Sequence, residues 1–288
     1  MEPKTFDDYF GQWSASKLKT LKHCPLQYYL KYIVKLKMPE DTLQDTVARD
    51  AGKALHAVLE YVIKGLSHEE AVRKVRMEYT KSAEEWETVV APDIQNTKVF
   101  AERFQAFAKK YDVQKAFPEV RLGVRKDWSL CDFFAKDVFF RGVLDLALWL
   151  KNDDVIIIDH KRGGSAEFGI RNYESQLDIY KILVHAKIPT LKNVISGIHF
   201  ISEGTIPLGA ATSAEIIRDI ERPKLVYDIA CTVESAVEPG VMKHKRGPYC
   251  NYCDYDSICK AKLYKPHEEA SKEFLKKIIP IASSPPSP

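Results

Sequence analysis

The sequence has no apolar run approaching the roughly 18 residues needed to span a bilayer, and its N-terminus has no signal-peptide hydrophobic region. A membrane or secreted protein is therefore not expected, and the chain reads as soluble and cytoplasmic. It has no phosphate loop of the form Gly-x4-Gly-Lys-Ser/Thr, so any ATP-driven motor it works with must be a separate protein. No internal repeat is found. Acid is missing from one stretch: between Gly11 and Met38 there are six lysines (Lys17, Lys19, Lys22, Lys31, Lys35, Lys37) and no aspartate or glutamate. With six cysteines and an intracellular reading, a disulfide framework is not expected.

What is present is globular. Hydrophobic residues make up 45% and aromatics 11% of 288 residues, enough for one large domain or two small ones with a sizeable core. The net charge of +3 says little; its distribution says more. The acid-free stretch interleaves its lysines with Trp13, Tyr28, Tyr29 and Tyr32. Lysines track phosphates and aromatic faces accept stacked bases, so Lys17, Lys22 and Tyr28 are candidate nucleic-acid contacts, beside the alternative of a solvated face with core aromatics.

Periodicity divides the chain into a helical first third and a mixed remainder. Ser14 or Ser16 caps a helix through Leu21, and Pro25 restarts another to about Val34. Leu55, Val58, Leu59 and Val62 recur at helical spacing between Val47 and Lys64, with Gly65 at the exit. Helices at about 68–88 and 93–111 follow, and Pro118 marks a switch to period-two patterning. Strands are expected at 119–128, 138–149, 155–160 and 193–202, with helices at 172–187 and 213–236. The order α-β-β-β-α-β implies a mixed sheet packed by helices.

The chemistry concentrates between Asp145 and Tyr180. Asp145 interrupts an apolar strand, where a carboxylate is costly unless it is paired or holds a metal. The run Val155-Ile156-Ile157-Ile158 ends in Asp159-His160-Lys161. Strand side chains alternate, so Asp159 and Lys161 share a face and His160 points the other way. Two clustered carboxylates favour a divalent cation, and a lysine beside them can align or deprotonate a water. That layout suits metal-dependent phosphodiester hydrolysis. His56 and Glu60 are one turn apart on the 47–64 helix, after Gly52, and Gln176 and Tyr180 are one turn apart on the 172–187 helix.

A second constellation is Cys250-x2-Cys253-x5-Cys259, with Cys24 near the other end of the chain. Four thiolates satisfy either a [4Fe–4S] cluster or a tetrahedral Zn²⁺. Cys131 and Cys231 read as core residues. Lys243, Lys245 and Arg246 add positive charge beside the cysteines and are further candidate DNA contacts.

Gly52-x3-His56, Gly142-x2-Asp145, Asp159-x-Lys161 and Gln176-x3-Tyr180, in this order, resemble the RecB-like branch of the PD-(D/E)XK nuclease superfamily, over about residues 14–262. Its members include CRISPR-associated RecB-like exonucleases and the nuclease domains of recombination helicase–nucleases. The resemblance implies an α/β restriction-endonuclease-like core with an α-helical N-terminal part and a Cys-rich C-terminal segment. It implies His56, Asp145, Asp159 and the main-chain carbonyl of His160 as ligands of Mg²⁺ or Mn²⁺, and Lys161 as the catalytic lysine. Gln176 and Tyr180 would complete the site, with Glu119 as a further acid. It favours [4Fe–4S] over zinc at Cys24, Cys250, Cys253 and Cys259.

The expected divisions are an N-terminal helical segment (1–46), a helical region (47–118), a nuclease core (119–240), the cysteine segment (241–264), and a C-terminal helix with a disordered tail (265–288). The expected activity is a DNA exonuclease on single-stranded or resected ends. The rival is a non-catalytic or accessory DNA-binding module of a recombination, replication or CRISPR-adaptation complex. The expected partners are DNA and a separate helicase or CRISPR protein. Self-association and a virus-encoded origin are both compatible with the sequence.

Overall fold

A computed structural model describes residues 12–37, 46–79, 82–168, 170–238 and 241–260. The C-terminal helix and tail expected over 265–288 lie outside these residues. The elements run α1 (Ala15–His23), α2 (Pro25–Tyr28, continued by a wider turn Tyr29–Ile33), α3 (Thr46–Ile63) and α4 (His68–Glu78). Short turns at Ala83–Glu85 and Trp86–Val90 lead into α5 (Ala91–Lys110). Then come β1 (Val113–Val124), β2 (Leu130–Cys131), β3 (Phe140–Leu150), β4 (Val155–Lys161), α6 (Glu174–Lys187), β5 (Asn193–Phe200) and β6 (Thr212–Ser213). Turns Ala214–Ile216 and Ile217–Glu221 run into α7 (Arg222–Ala236), followed by the hairpin β7 (Val237–Glu238) and β8 (Val241–Met242) and by α8 (Asp256–Lys260). The chain packs as two compact units, one of Met1–Asp45, Lys136–Phe140 and Lys224–Pro288, the other of Thr46–Ala135 and Arg141–Pro223.

The larger unit is built on a six-stranded mixed sheet in the order β2-β1-β3-β4-β5-β6. β4 pairs antiparallel with β3, from Leu146↔Ile158 to Trp149↔Val155, and parallel with β5, from Val155↔Val194 to Lys161↔Phe200. Val155 to His160 are all buried, which explains the unbroken apolar run: a strand covered on both faces has no polar side to present. On one face Leu146, Leu148, Ile156 and Ile158 join Leu55, Val58 and Leu59 of α3 in a core closed by α4 and α5. Each such fully buried aliphatic side chain contributes about 1.5–3 kcal/mol. On the other face lies α6.

Two expectations shift. The helix expected at 68–88 is broken: Tyr79 turns extended after α4, and Ser82 caps a fresh turn with its hydroxyl on the Glu85 amide. The change to strand falls at Val113 rather than Pro118, because Asp112, at φ 51°, ends α5 and Pro118 sits inside β1.

In the smaller unit Ser14 caps α1, and Cys24 lies extended between α1 and α2 with Pro25 opening α2. The Leu26 amide donates to the Lys243 carbonyl at 3.1 Å, and the Tyr255 hydroxyl to the Leu36 carbonyl at 3.0 Å. These bonds tie the two ends of the sequence together in space. Tyr28, expected on a nucleic-acid surface, is instead core: it is 1% exposed, stacked 6.0 Å from Trp13 and tilted against Tyr32 at 5.1 Å. Its ring faces are taken by other aromatics, so no base can reach them.

Candidate active site

Three donors meet at the edge of the sheet. His56 projects from α3, Glu119 from β1 and Asp145 from β3, and one ligand atom from each lies within 4.8 Å of the others. His56 Nδ1 is 3.5 Å from Asp145 Oδ1, and Asp145 Oδ2 accepts the His160 amide at 2.7 Å. Glu119 follows Pro118 and has φ 52°, a left-handed conformation that costs an L-residue about 1–2 kcal/mol.

Asp159 stands beside this triplet rather than in it. It is 2% exposed, and its Oδ1 accepts from Gln176 Nε2 at 2.8 Å. Its Oδ2 has the Lys161 ammonium at 2.6 Å but no hydrogen bond of good geometry. Gln176 also donates to the Tyr180 hydroxyl at 2.8 Å and accepts from Lys161 at 3.4 Å, so one amide ties strand, lysine and tyrosine together. Tyr180 is 7% exposed. Gly142 is the contact that lets α6 approach: a Cβ there would stand 2.9 Å from Leu183 Cδ1 and 3.0 Å from Tyr180 Cε1.

His160 turns to the opposite face, where its Nδ1 lies 2.9 Å from His199 Nδ1 and its ring meets Phe100. Burial holds both rings uncharged, His199 down at about 4.

The charges strain against one another. Burial, then the Asp145 carboxylate, push Asp159 up to about 6 against the pull of Lys161. Burial and Asp145 also raise Glu119. Burial would lower His56, but its hydrogen bond to Asp145 and the carboxylates of Asp145, Asp159 and Glu119 outweigh that, so it is raised. Burial opposes ionisation of Asp145, and the His56 hydrogen bond and charge overcome it, leaving Asp145 lowered. Three carboxylates and an imidazole, one carboxylate oxygen buried without a hydrogen bond, form a donor set that fits a hard divalent cation.

The cysteines converge separately, within the smaller unit. Cys24, Cys250, Cys253 and Cys259 line one small cavity with His244 and Tyr249. Cys259 Sγ is 3.1 Å from His244 Nε2, and the Gly247 amide donates to Cys250 Sγ at 3.4 Å. Burial pushes the Cys253 thiol up to about 11, and charge on Cys24 and Cys250 pushes the same way. Four half-buried thiols gathered around one cavity are a donor set that a metal group would bring to the thiolate form, so this set also fits one.

Of the expected DNA contacts, Lys22, Lys245 and Arg246 are exposed, whereas Lys17 is half-buried, donating to the Gln12 carbonyl at 2.9 Å over the Tyr32 ring. Lys243 is half-buried. Among the described residues no helix is long and apolar enough to cross a membrane.

Two acids and a histidine thus meet beside a third acid that has a lysine two residues further along a central strand, on a mixed α/β fold, and their donor types are those a hard divalent cation takes. The sequence matches the PD-(D/E)XK nuclease superfamily over residues 12–260, and the chain belongs to that superfamily. Among curated proteins none matches it. Of solved structures, that of SSO0001 is 14% identical, with 88% of this chain and 87% of that one covered and a TM-score of 0.38. Another, from Eubacterium rectale and named "Putative exonuclease", is 9% identical over 81% of this chain and 84% of that one, with a TM-score of 0.44. Both likenesses are too distant to bear on activity.

Proposed function

We propose that this chain is a Mg²⁺- or Mn²⁺-dependent deoxyribonuclease acting at single-stranded or resected DNA ends. The observation that carries the reading is the meeting of His56, Glu119 and Asp145 beside a buried Asp159 whose Oδ2, facing the Lys161 ammonium at 2.6 Å, has no hydrogen bond among the described residues. His56, Glu119, Asp145, Asp159 and the His160 carbonyl would hold the cation. When bound, such a cation supplies Lewis acidity toward a phosphate oxygen and lowers the pKa of a water. Lys161, held by Asp159 and Gln176, aligns that water and offsets charge on the phosphate. Gln176 keeps Asp159 and Tyr180 in register with the lysine. The exposed Lys22, Lys245 and Arg246 are assigned to the DNA backbone, and the ends to be trimmed would come from a separate helicase, recombination or CRISPR-adaptation protein.

Cys24, Cys250, Cys253 and Cys259 are assigned to a structural [4Fe–4S] cluster, with zinc as the rival. Brown, iron- and sulfide-containing protein after anaerobic purification supports the cluster; colourless protein with one zinc per chain refutes it.

The test of activity is digestion of oligonucleotides labelled at the 5′ or 3′ end, with and without EDTA. Metal-dependent cleavage is expected, abolished by Asp145→Ala or Lys161→Ala while DNA binding persists. Undiminished cleavage by both variants would defeat the assignment, and no cleavage by the wild type under any metal would leave a DNA-binding module.

A further inference from the structure

Lys161 has a third neighbour that neither the motif nor the metal set accounts for. Its ammonium lies 5.2 Å from the centre of the Tyr173 ring. Tyr173 is the residue immediately before α6, one turn ahead of Gln176. The ring is itself fixed from two other directions. Phe200, the partner of Lys161 across the parallel β4–β5 register, packs against it with centroids 6.2 Å apart. The loop after β4 crosses it at Gly164, where the backbone has φ +98° and a Cβ would stand 3.2 Å from the Tyr173 hydroxyl and 3.1 Å from Phe200 Cε1. Only glycine lets that loop lie so close at that φ.

The arrangement has a physical purpose. A lysine carries about 2 kcal/mol of rotamer freedom on four rotatable bonds, and the Lys161 side chain is 26% exposed. One carboxylate and one amide oxygen at 3.4 Å contact the ammonium. An aromatic face adds a third contact that attracts the ammonium through the ring quadrupole without competing for its hydrogen-bond donors. Those donors stay free for Asp159 and a reacting water.

We propose that Tyr173 is the positioning residue of this site: its ring face, braced by Phe200 and the Gly164 turn, holds the Lys161 ammonium against Asp159. The inference rests on the nuclease reading for its catalytic consequence, but the contact itself can be tested without activity.

The experiment compares wild type, Tyr173→Phe and Tyr173→Leu, each checked for a folded circular dichroism spectrum. In metal-free protein, the rate at which an amine-reactive acylating reagent modifies Lys161 is followed by peptide mass spectrometry. In the presence of Mn²⁺, kcat and KM are measured on a single-stranded oligonucleotide. Tyr173→Phe should match wild type in both. Tyr173→Leu should acylate faster at Lys161 and lose kcat by about 2- to 30-fold, the range to which a cation–π contact corresponds, with KM unchanged. Equal acylation of Lys161 in wild type and Tyr173→Leu would overturn the proposal whatever the cleavage data. So would equal loss of kcat in the Phe and Leu variants, which would assign the effect to the hydroxyl. A wild type that cleaves nothing but shows the acylation difference would refute the nuclease reading and leave the Tyr173–Lys161 contact standing.

Discussion

Asp159→Asn should make the metal-free protein more stable at neutral pH, although it removes a salt bridge. The Asp159 carboxyl is buried, faces the charge of Asp145, and is pushed up from 3.8 to about 6 in the folded state. A raised acid pKa means that the native state keeps its proton longer than the unfolded chain does. Stability is therefore undiminished below 3.8, falls as pH rises from 3.8 to about 6, and stays low above that. A rise of that size corresponds to about 3 kcal/mol. Asparagine removes the charge and keeps the oxygen that accepts from Gln176. The pull of Lys161 on the carboxylate is already contained in that rise, so it is not subtracted again. A net gain of up to about 3 kcal/mol is expected. Urea unfolding in EDTA, measured across the acid-to-neutral range, should show the wild type losing stability through this window and the variant losing less. Adding Mn²⁺ to about 1,000 times its Kd for the wild type should reverse the ranking, because a ligand at that excess adds about 4.1 kcal/mol to the state that binds it. A variant less stable than wild type in EDTA at neutral pH, or a difference that does not change with pH, would refute the argument that unpaired charge in this site opposes folding.

Gly142→Ala puts a methyl group 2.9 Å from Leu183 Cδ1 and 3.0 Å from Tyr180 Cε1. It should destabilise by about 1–3 kcal/mol and lower cleavage by displacing the Tyr180–Gln176 pair, read by urea unfolding and initial rates. Glu119→Gly relieves the left-handed backbone at φ 52° as well as a half-buried carboxyl whose pKa is raised, whereas Glu119→Gln relieves only the charge. Without metal the glycine variant should be the more stable of the two by about 1 kcal/mol, and isothermal titration should show weakened Mn²⁺ binding in both. If the proposed cluster or zinc is bound, Cys24→Ser should lower the metal content per chain and the melting temperature together, because Cys24 shares its cavity with three cysteines more than 220 residues away in sequence.

The apolar run of β4 and its Asp-His-Lys ending were legible because burial on both faces leaves a continuous signal and alternation fixes the faces. The amphipathic stripe of α3 was legible for the same reason: Leu55, Val58 and Leu59 must all face one core. Tyr28 was misread because composition cannot tell an aromatic that stacks on Trp13 from one that awaits a base. The break at Tyr79 had a local signal in Ser82, whose hydroxyl caps the next turn, three residues before Glu85. Tyr173 shares a helix face with Gln176 and Tyr180 by its spacing, but nothing in the sequence pairs its ring with Lys161, which is reached across a loop held by Gly164. Glu119 could be named only weakly, because the positive φ that aims it is a property of the bent strand.

Glu119 and Asp145 share a deeper reason for being hard to read. Leu146 packs into the core beneath α3, and an unbroken alternation would set Gly142, four residues earlier, on the same face. Yet the Cβ direction of Gly142 points into Tyr180 and Leu183 of α6, on the other face. The alternation therefore slips between Gly142 and Leu146, and Asp145 lies within the slip. Past the Leu146↔Ile158 pair the His160 amide is taken by the Asp145 carboxylate, so the side chain stands in for the strand's own carbonyl while keeping Oδ1 turned to His56. β1 departs from regularity in its own way, at Pro118-Glu119, where one residue has no amide hydrogen and the next has a positive φ. Both strands thus leave the regular sheet where they must present an oxygen donor. A period-two reading locates such strands and misaims the residues at the irregularity, and those are the residues that meet His56.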